Sequence, residues 1–375
     1  MIRFLIAFTL VLAASAFARA AELPSNAAID TEARRLMATQ QVVGLALAVI
    51  DDGRIVHTAA FGARNIKRKL PLTTDTIMYG ASLTKAAVAY MVMQLVDEGR
   101  ISLDTPVASL LPKPLTDYED YADLKGDERW RRLTPRIILN HTTGFANFRW
   151  LEDDHKLRFH FEPGTRYAYS GEGFYILQLV LEEGLHLDVG KEMKQRVFDR
   201  FGMKNTSMQW RPDFASDLAD GYDKDGKFEP HDERSQVSAA GSMDTTIADQ
   251  AKLWSGIVRG DGLSAMSRDE RVRPQAPIMS SQQFPTLLDR TDPRGPAVSL
   301  SAGIGIVTFR DVNGVTWFKG GHNDWTGNMV VCQETGRRCV VMLANSVRAE
   351  KIYPALVKYI LGDSNMPWWW EYGVQ

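Results

Sequence analysis

The sequence predicts a mixed α/β (α+β) fold, an antiparallel sheet flanked by helices, with a mostly helical part inserted between the first and last strands. Three observations predict it. Two apolar runs near the N-terminus flank a hairpin turn, a strongly helical stretch follows them, and alternating, β-branched runs joined by short turns return near the C-terminus.

The first hairpin pairs Gly44–Ile50 with Arg54–Phe61 across Asp52-Gly53, a dipeptide suited to the positive φ angles of a two-residue turn. Ala81–Asp97, rich in Ala, Met and Leu, has helical character and stops at Glu98-Gly99. From Leu103 to about Met243 loops and helices without clear alternation are expected, including a core helix around Phe174–Leu185. After Met243 alternating runs return, with strands at Gly303–Phe309, Val315–Lys319, Asn328–Gln333 and Arg338–Ala344 and turns at Asn313-Gly314 and Thr335-Gly336. Turns this short make those strands antiparallel, and an amphipathic helix, Ala349–Leu361, closes the pattern. The N-terminal hairpin and the C-terminal strands are expected to share one sheet.

Residues 1–20 read as a secretory leader: Arg3, an apolar run from Phe4 to Phe17, and small residues in an A-x-A pattern at Ala18-Arg19-Ala20. The run is short for a membrane span, no cysteine near the cut offers a lipid anchor, and the chain after Ala20 is expected to be exported, periplasmic or secreted. Residues 21–375 then form one domain, with a sheet part at about 21–80 and 244–375 and a helical part at about 81–243. With 44 basic and 46 acidic residues the net charge is -2, which gives no electrostatic case for nucleic-acid binding. The only cysteines, Cys332 and Cys339, come opposite each other if the hairpin folds at Thr335-Gly336. An oxidising compartment permits a disulfide there, although directly opposed hairpin cysteines often have poor geometry for one.

The chemistry is concentrated at Ser82-Leu83-Thr84-Lys85. A spacing of three is nearly one helical turn, so hydroxyl and amine share one face at the start of a helix. A serine hydroxyl needs a base within reach, and a lysine whose pKa burial lowers can be that base. Alone, the spacing is more often that of a helix cap followed by a solvated lysine. Three further segments change the balance: Glu162-Pro163-Gly164-Thr165-Arg166-Tyr167-Ala168-Tyr169-Ser170-Gly171, a Pro-Gly loop leading to a tyrosine; Phe318-Lys319-Gly320-Gly321-His322, a lysine and two glycines at a strand end; and Leu139-Asn140-His141-Thr142-Thr143-Gly144, between the serine and the tyrosine.

With Ser82-Leu83-Thr84-Lys85, Tyr169-Ser170-Gly171 and Lys319-Gly320-Gly321 in this order, the chain resembles the serine β-lactamase and penicillin-binding-protein superfamily, most closely its class C β-lactamase-like branch. Val96–Asp104 and Ala239–Met243 are similar to further stretches of that family, and the resemblance runs from about 30 to about 361. It implies a β-lactamase/transpeptidase-like fold and a serine hydrolase acting through an acyl-enzyme. By that resemblance Ser82 is the nucleophile and Lys85 its proton partner, while Tyr169 protonates the leaving group or activates water. Either Lys85 or Tyr169 can then be the general base. Lys319 supplies positive charge for a substrate carboxylate or for tuning the tyrosine, Gly321 leaves the strand edge clear, and the backbone N–H groups of Ser82 and His322 form an oxyanion hole.

One departure concerns the substrate. Many relatives carry asparagine where this chain has Gly171, which removes an amide that holds the lysine and a substrate amide, so that ester and peptide substrates gain over β-lactams. Glu172 is expected to face water or cap the following helix, and His141, in Leu139-Asn140-His141-Thr142-Thr143-Gly144, to be structural. Asp223-Lys224-Asp225-Gly226 lacks the glutamate a calcium loop requires and reads as a turn, no cofactor or metal site is implied, and Trp368-Trp369-Trp370 reads as a tail packed on the domain surface. The partner expected is a small-molecule or peptide substrate: a β-lactam, a cell-wall peptide or an ester. A covalent penicillin receptor with slow or no turnover is the alternative.

Overall fold

The computed structural model describes residues 22–373, so the leader expected at 1–20 lies outside the described residues. The main elements run α1 (Asn26–Gln40), β1 (Gly44–Asp51), β2 (Arg54–Asn65), β3 (Leu70–Pro71), α2 (Leu83–Asp97), α3 (Gly171–Leu179), α4 (Ile247–Arg259), α5 (Ala265–Val272), β4 (Ala276–Pro277), β5 (Ser301–Ala302), β6 (Val307–Asp311), β7 (Gly314–Asn323), β8 (Thr326–Gln333), β9 (Arg338–Ala344), α6 (Tyr353–Leu361) and α7 (Trp368–Glu371). The strands form one antiparallel sheet in the order β3-β2-β1-β9-β8-β7-β6-β5-β4, so the N-terminal hairpin and the C-terminal strands do share a sheet. The turn between β1 and β2 takes positive φ at both Asp52 (48°) and Gly53 (71°), the geometry that matches the twist of a hairpin.

Both faces of the sheet are covered, which explains why β1 and β9 are continuous apolar runs. Ala46, Ala48, Ile50, Val341 and Leu343 join the core shared with α2, α4 and the helical part, while Leu45, Leu47, Val49, Val340 and Met342 join a second core under α1 and α6. Helix α2 is buried from Leu83 to Leu95 on all sides, as expected for a helix without a polar stripe. The segment between α2 and α4 is mostly short helical turns, with a two-stranded ribbon pairing Gly221–Tyr222 with Phe228–Glu229 around the Asp223–Gly226 turn. No helix among the described residues is long and apolar enough to cross a membrane.

Several elements differ from the sequence reading. Helix α1 was not expected, although Ile29, Ala33, Leu36 and Met37 are spaced for one helical face and the Ser25 hydroxyl caps it by accepting from Ala28 N–H. Alternating strands do not return directly after Met243: α4 and α5 come first, α4 opened by the Thr246 cap and closed by Gly260 at φ 78°. The strand expected over Gly303–Phe309 is shortened to β6 because the chain bends at Gly305, where a Cβ would lie 2.3 Å from that of Ala89 in α2. The expected Ala349–Leu361 helix is split into a 3₁₀ turn, Val347–Lys351, and α6, which takes Pro354 in its first turn, where no N–H is needed. Around Phe174–Leu185, α3 ends at Leu179 and a wider π turn carries the chain to Gly184.

Candidate active site

Ser82 is the N-cap of α2 and follows Ala81, whose φ of 47° is a left-handed conformation that alanine adopts only under constraint. The constraint is visible: Gly80 N–H donates to the Met243 carbonyl, the Asn328 amide donates to the Tyr79 carbonyl, and Thr84 Oγ1 donates to the Ala81 carbonyl while accepting from Met243 N–H. The nucleophile candidate is therefore pinned between the helix, the Ala239–Met243 segment and the sheet.

Lys85 stands one turn behind it, fully buried. Its Nζ lies 3.2 Å from Ser82 Oγ and donates to the Ala240 carbonyl at 2.5 Å. Its surroundings are aromatic, with Nζ 5.1 Å from the ring centre of Tyr169 and 5.7 Å from those of Phe148 and Phe174. It has no ion-pair partner among the described residues. Burial, and after it the charge of Lys319, holds the amine well below the usual lysine range.

Tyr169, buried at the end of the Pro-Gly loop, is tied to the other lysine: Lys319 Nζ donates to its hydroxyl at 3.3 Å. Burial pushes the phenol up from its ordinary value, and a hydrogen bond with Ser82 only partly opposes this. Lys319 also donates to the Gly320 carbonyl at 2.6 Å. Burial pulls it down to about 8, against the pull of the Glu371 carboxylate.

Pairing of β7 with β6 ends at Phe318, so Lys319–Asn323 leave one edge of the strand open toward Ser82. A Cβ at Gly321 would lie 3.0 Å from both Gly80 O and Leu83 N and 3.2 Å from Ser82 N, so glycine is what lets the strand backbone approach the nucleophile. His322 comes next on that edge, its Nδ1 3.2 Å from Glu350 Oε1. Burial lowers the imidazole, but Glu350 and then Glu371 more than reverse this, leaving it above its ordinary value. Ser82, Tyr169, Lys319, Gly321 and His322 all line one cleft of about 870 Å³. Cys332 and Cys339 lie away from it: they face each other across β8 and β9 in the sheet core, joined as a disulfide.

The position after Ser170 is filled in an unexpected way. A Cβ at Gly171 would lie 2.2 Å from the Phe148 ring, so the absent side chain is replaced by a phenylalanine edge. Phe148 stacks on Trp150 with ring centres 4.1 Å apart, and both line the cleft with Phe284 and Trp325, giving it an apolar wall. Asn147, also in the lining, accepts from Gly171 N–H through its side-chain oxygen at 3.0 Å. Glu172 corrects an expectation, since it neither faces water nor caps a helix but is buried and paired with Arg149 at 2.7 Å. His141 is buried under the site, its Nδ1 accepting from Ser170 N–H at 3.2 Å and its ring centre 4.3 Å from that of Tyr169. Burial first, then Lys319 and Lys85, keep its imidazole well below the usual range.

Three contributors were missed in the sequence. Phe148 and Trp150 carried a readable signal, an aromatic pair in the loop before the tyrosine motif. Glu371 carried none, because it reaches the cleft from the far C-terminus on α7. The tryptophans before it are not simply a surface tail: Trp370 is 1% exposed, and its indole donates to Ser280 Oγ at 3.0 Å.

Comparison with known proteins gives the family and the fold. The chain is 30% identical to penicillin-binding protein 4 of Amycolatopsis lactamdurans over 181 residues, 45% of each chain, and 26% identical to the lovastatin esterase of Penicillium rubens over 219 residues, 51% of this chain and 54% of that one. It spans about half the length of the curated relatives it matches. The fold superposes on the D-alanine carboxypeptidase AmpC of Burkholderia cenocepacia with a TM-score of 0.70 at 19% identity, covering 88% of this chain and 98% of that one. A family model described as beta-lactamase matches residues 29–361, which takes in the serine, tyrosine and lysine segments together, and the chain belongs to the beta-lactamase family of serine hydrolases.

Proposed function

We propose that this chain is an exported serine hydrolase that cleaves an ester or amide through an acyl-enzyme on Ser82. The observation that carries this is the buried Lys85 amine, 3.2 Å from Ser82 Oγ and without a carboxylate partner among the described residues. A lysine so placed is an acceptor for the serine proton.

The opposite pKa directions of Lys85 and Tyr169 support a division of roles. In acylation Ser82 Oγ bonds to the carbonyl carbon as its proton passes to Lys85 Nζ. The backbone N–H groups of Ser82 and His322 stabilise the oxyanion, and Tyr169 gives its proton to the leaving oxygen or nitrogen as that bond breaks, with Lys319 stabilising the phenolate. In deacylation water adds to the acyl carbon and returns a proton to Tyr169, and Lys85 returns its proton to Ser82 Oγ as the acid departs. Every group ends as it began. The aromatic wall at Phe148 and Trp150, beside the Gly171 that lacks an amide side chain, favours bulky apolar esters and amides over β-lactams.

Export rests on the leader-like residues 1–20 and on the disulfide, which suits an oxidising compartment. The N-terminal sequence of the exported protein should begin at Ala21. For activity, turnover of a short-chain p-nitrophenyl ester, a D-Ala-D-Ala peptide and nitrocefin is compared with that of Ser82→Ala, with the acyl adduct followed by mass spectrometry. Ester turnover should lead, and all activity should require Ser82. An adduct on Ser82 that persists for hours on each compound would make the protein a covalent receptor instead.

A further inference from the structure

The charge environment of Lys319 points to a substrate class. Glu371 is 5% exposed, lines the same cleft as Ser82 and Lys319, and has one carboxylate oxygen, Oε2, that is buried without a hydrogen-bond partner. Its place is built rather than incidental. Gln283 N–H donates to the Trp370 carbonyl at 2.8 Å, the Trp370 ring packs 5.7 Å from Tyr167 and 6.3 Å from Phe318, and Tyr372 lies against Tyr353 at 6.3 Å. The strand accommodates it too: a Cβ at Gly320 would lie 2.1 Å from Glu371 Oε1, so the glycine after Lys319 is what gives the carboxylate room.

We infer that Glu371 is a specificity-determining residue whose negative charge offsets Lys319, turning the site away from substrates with a free carboxylate near the scissile bond and toward uncharged esters and amides. This rests on the hydrolase reading above and deepens it. A buried cation beside an open strand edge is a natural counter-ion for a substrate carboxylate. When the protein already sets a carboxylate of its own within electrostatic reach of that cation, a substrate carboxylate meets a partly offset charge and still loses its hydration. Glu350, beside His322 on the same wall, adds to the negative side.

The groups acting on Glu371 are Lys319 and His322 from β7 and Glu350 from the 3₁₀ turn after β9, while Tyr167, Tyr169 and Tyr372 lie within reach of its charge. Burial raises the carboxyl to about 7, and the charges of Lys319 and His322 pull the other way. Near neutral pH the offset is therefore adjustable: protonating Glu371 restores an unmatched Lys319 charge.

A matched pair of thioesters tests this, an acylglycyl thioester of thioglycolate and its N-methylamide, which differ only in the carboxylate. The wild type should prefer the amide. In Glu371→Gln the carboxylate substrate should gain about tenfold or more relative to the amide, chiefly through KM, with thermal melting to confirm the fold. An unchanged preference overturns the inference. In the unmutated protein the preference for the amide should weaken from pH 7 to pH 5.5, a range below the titration of Lys319, and it should still do so in His322→Gln. A preference independent of pH in both overturns it as well, without depending on whether Glu371→Gln folds. Acylation of Ser82 by neither compound removes the hydrolase reading, and the inference with it; acylation with an unchanged preference removes the inference alone.

Discussion

The two walls of the cleft treat a buried lysine in opposite ways. On the helical wall Lys85 sits among aromatic rings with no ion-pair partner among the described residues, and its amine is driven toward neutrality. On the strand wall Lys319 is as buried, yet Glu371 supports its ammonium form. The same side chain becomes a proton acceptor in one place and is held closer to its charged form in the other, and with burial common to both the neighbouring charge makes the difference.

The largest expected effects test this division on catalysis. Ser82→Ala should reduce turnover about 10⁵-fold or more and abolish the acyl adduct, read by mass spectrometry. Lys85→Met should cost about 10²–10⁴-fold in acylation rate, because it removes the proton acceptor. Lys319→Met should cost only about tenfold on an uncharged ester, since it removes a field and no proton transfer. Equal losses at the two lysines would erase the distinction between the walls.

Stability offers a sharper contrast. Because the folded pKa of Lys85 is depressed, the unfolded chain binds a proton that the folded chain does not, in the window from that depressed value up to the ordinary value of about 10.4. Stability from this group therefore rises with pH through that window. Lys85→Met should be more stable than wild type by about 1–3 kcal/mol at pH 7 and lack that component of the rise, as measured by denaturant melts at pH 7 and pH 9. A wild-type slope retained in full by Lys85→Met would show that the amine stays charged.

Smaller effects come from the packing that shapes the helical wall. Gly171→Ala drives a methyl into the Phe148 ring and should cost about 1–3 kcal/mol, with much of the loss recovered in Phe148→Leu; additive losses in the double-mutant cycle would show that the contact is not the cause. Ala81→Gly should be the mildest, a gain of about 0.5 kcal/mol by melting, because relief at φ 47° is set against the entropy of an added glycine. A loss of stability there would mean that the turn before Ser82 is unstrained.

Much of this was legible in the chain. The Asp52-Gly53 hairpin, the mostly apolar α2 and the C-terminal hairpins follow from turn chemistry and periodicity, which act over a few residues. α4 and α5 were missed because a strand-rich ending was extrapolated backward over residues whose spacing is helical. Ser82 and Lys85 were visible because they lie one turn apart on one helix. The Phe148 edge against Gly171 was not, since nothing local says which ring fills the space a glycine leaves.

The sequence by itself determined the elements and the nucleophile–lysine pair, because both depend on short-range geometry. Tertiary structure decided how each group behaves. It buried Lys85 among aromatic rings, held Tyr169 as a phenol against Lys319, and brought Glu371 from α7 to the glycine beside Lys319. Burial and through-space charge depend on where distant segments meet, and residues hundreds of positions apart in the chain acquire their pKa values only when the sheet and helices have packed.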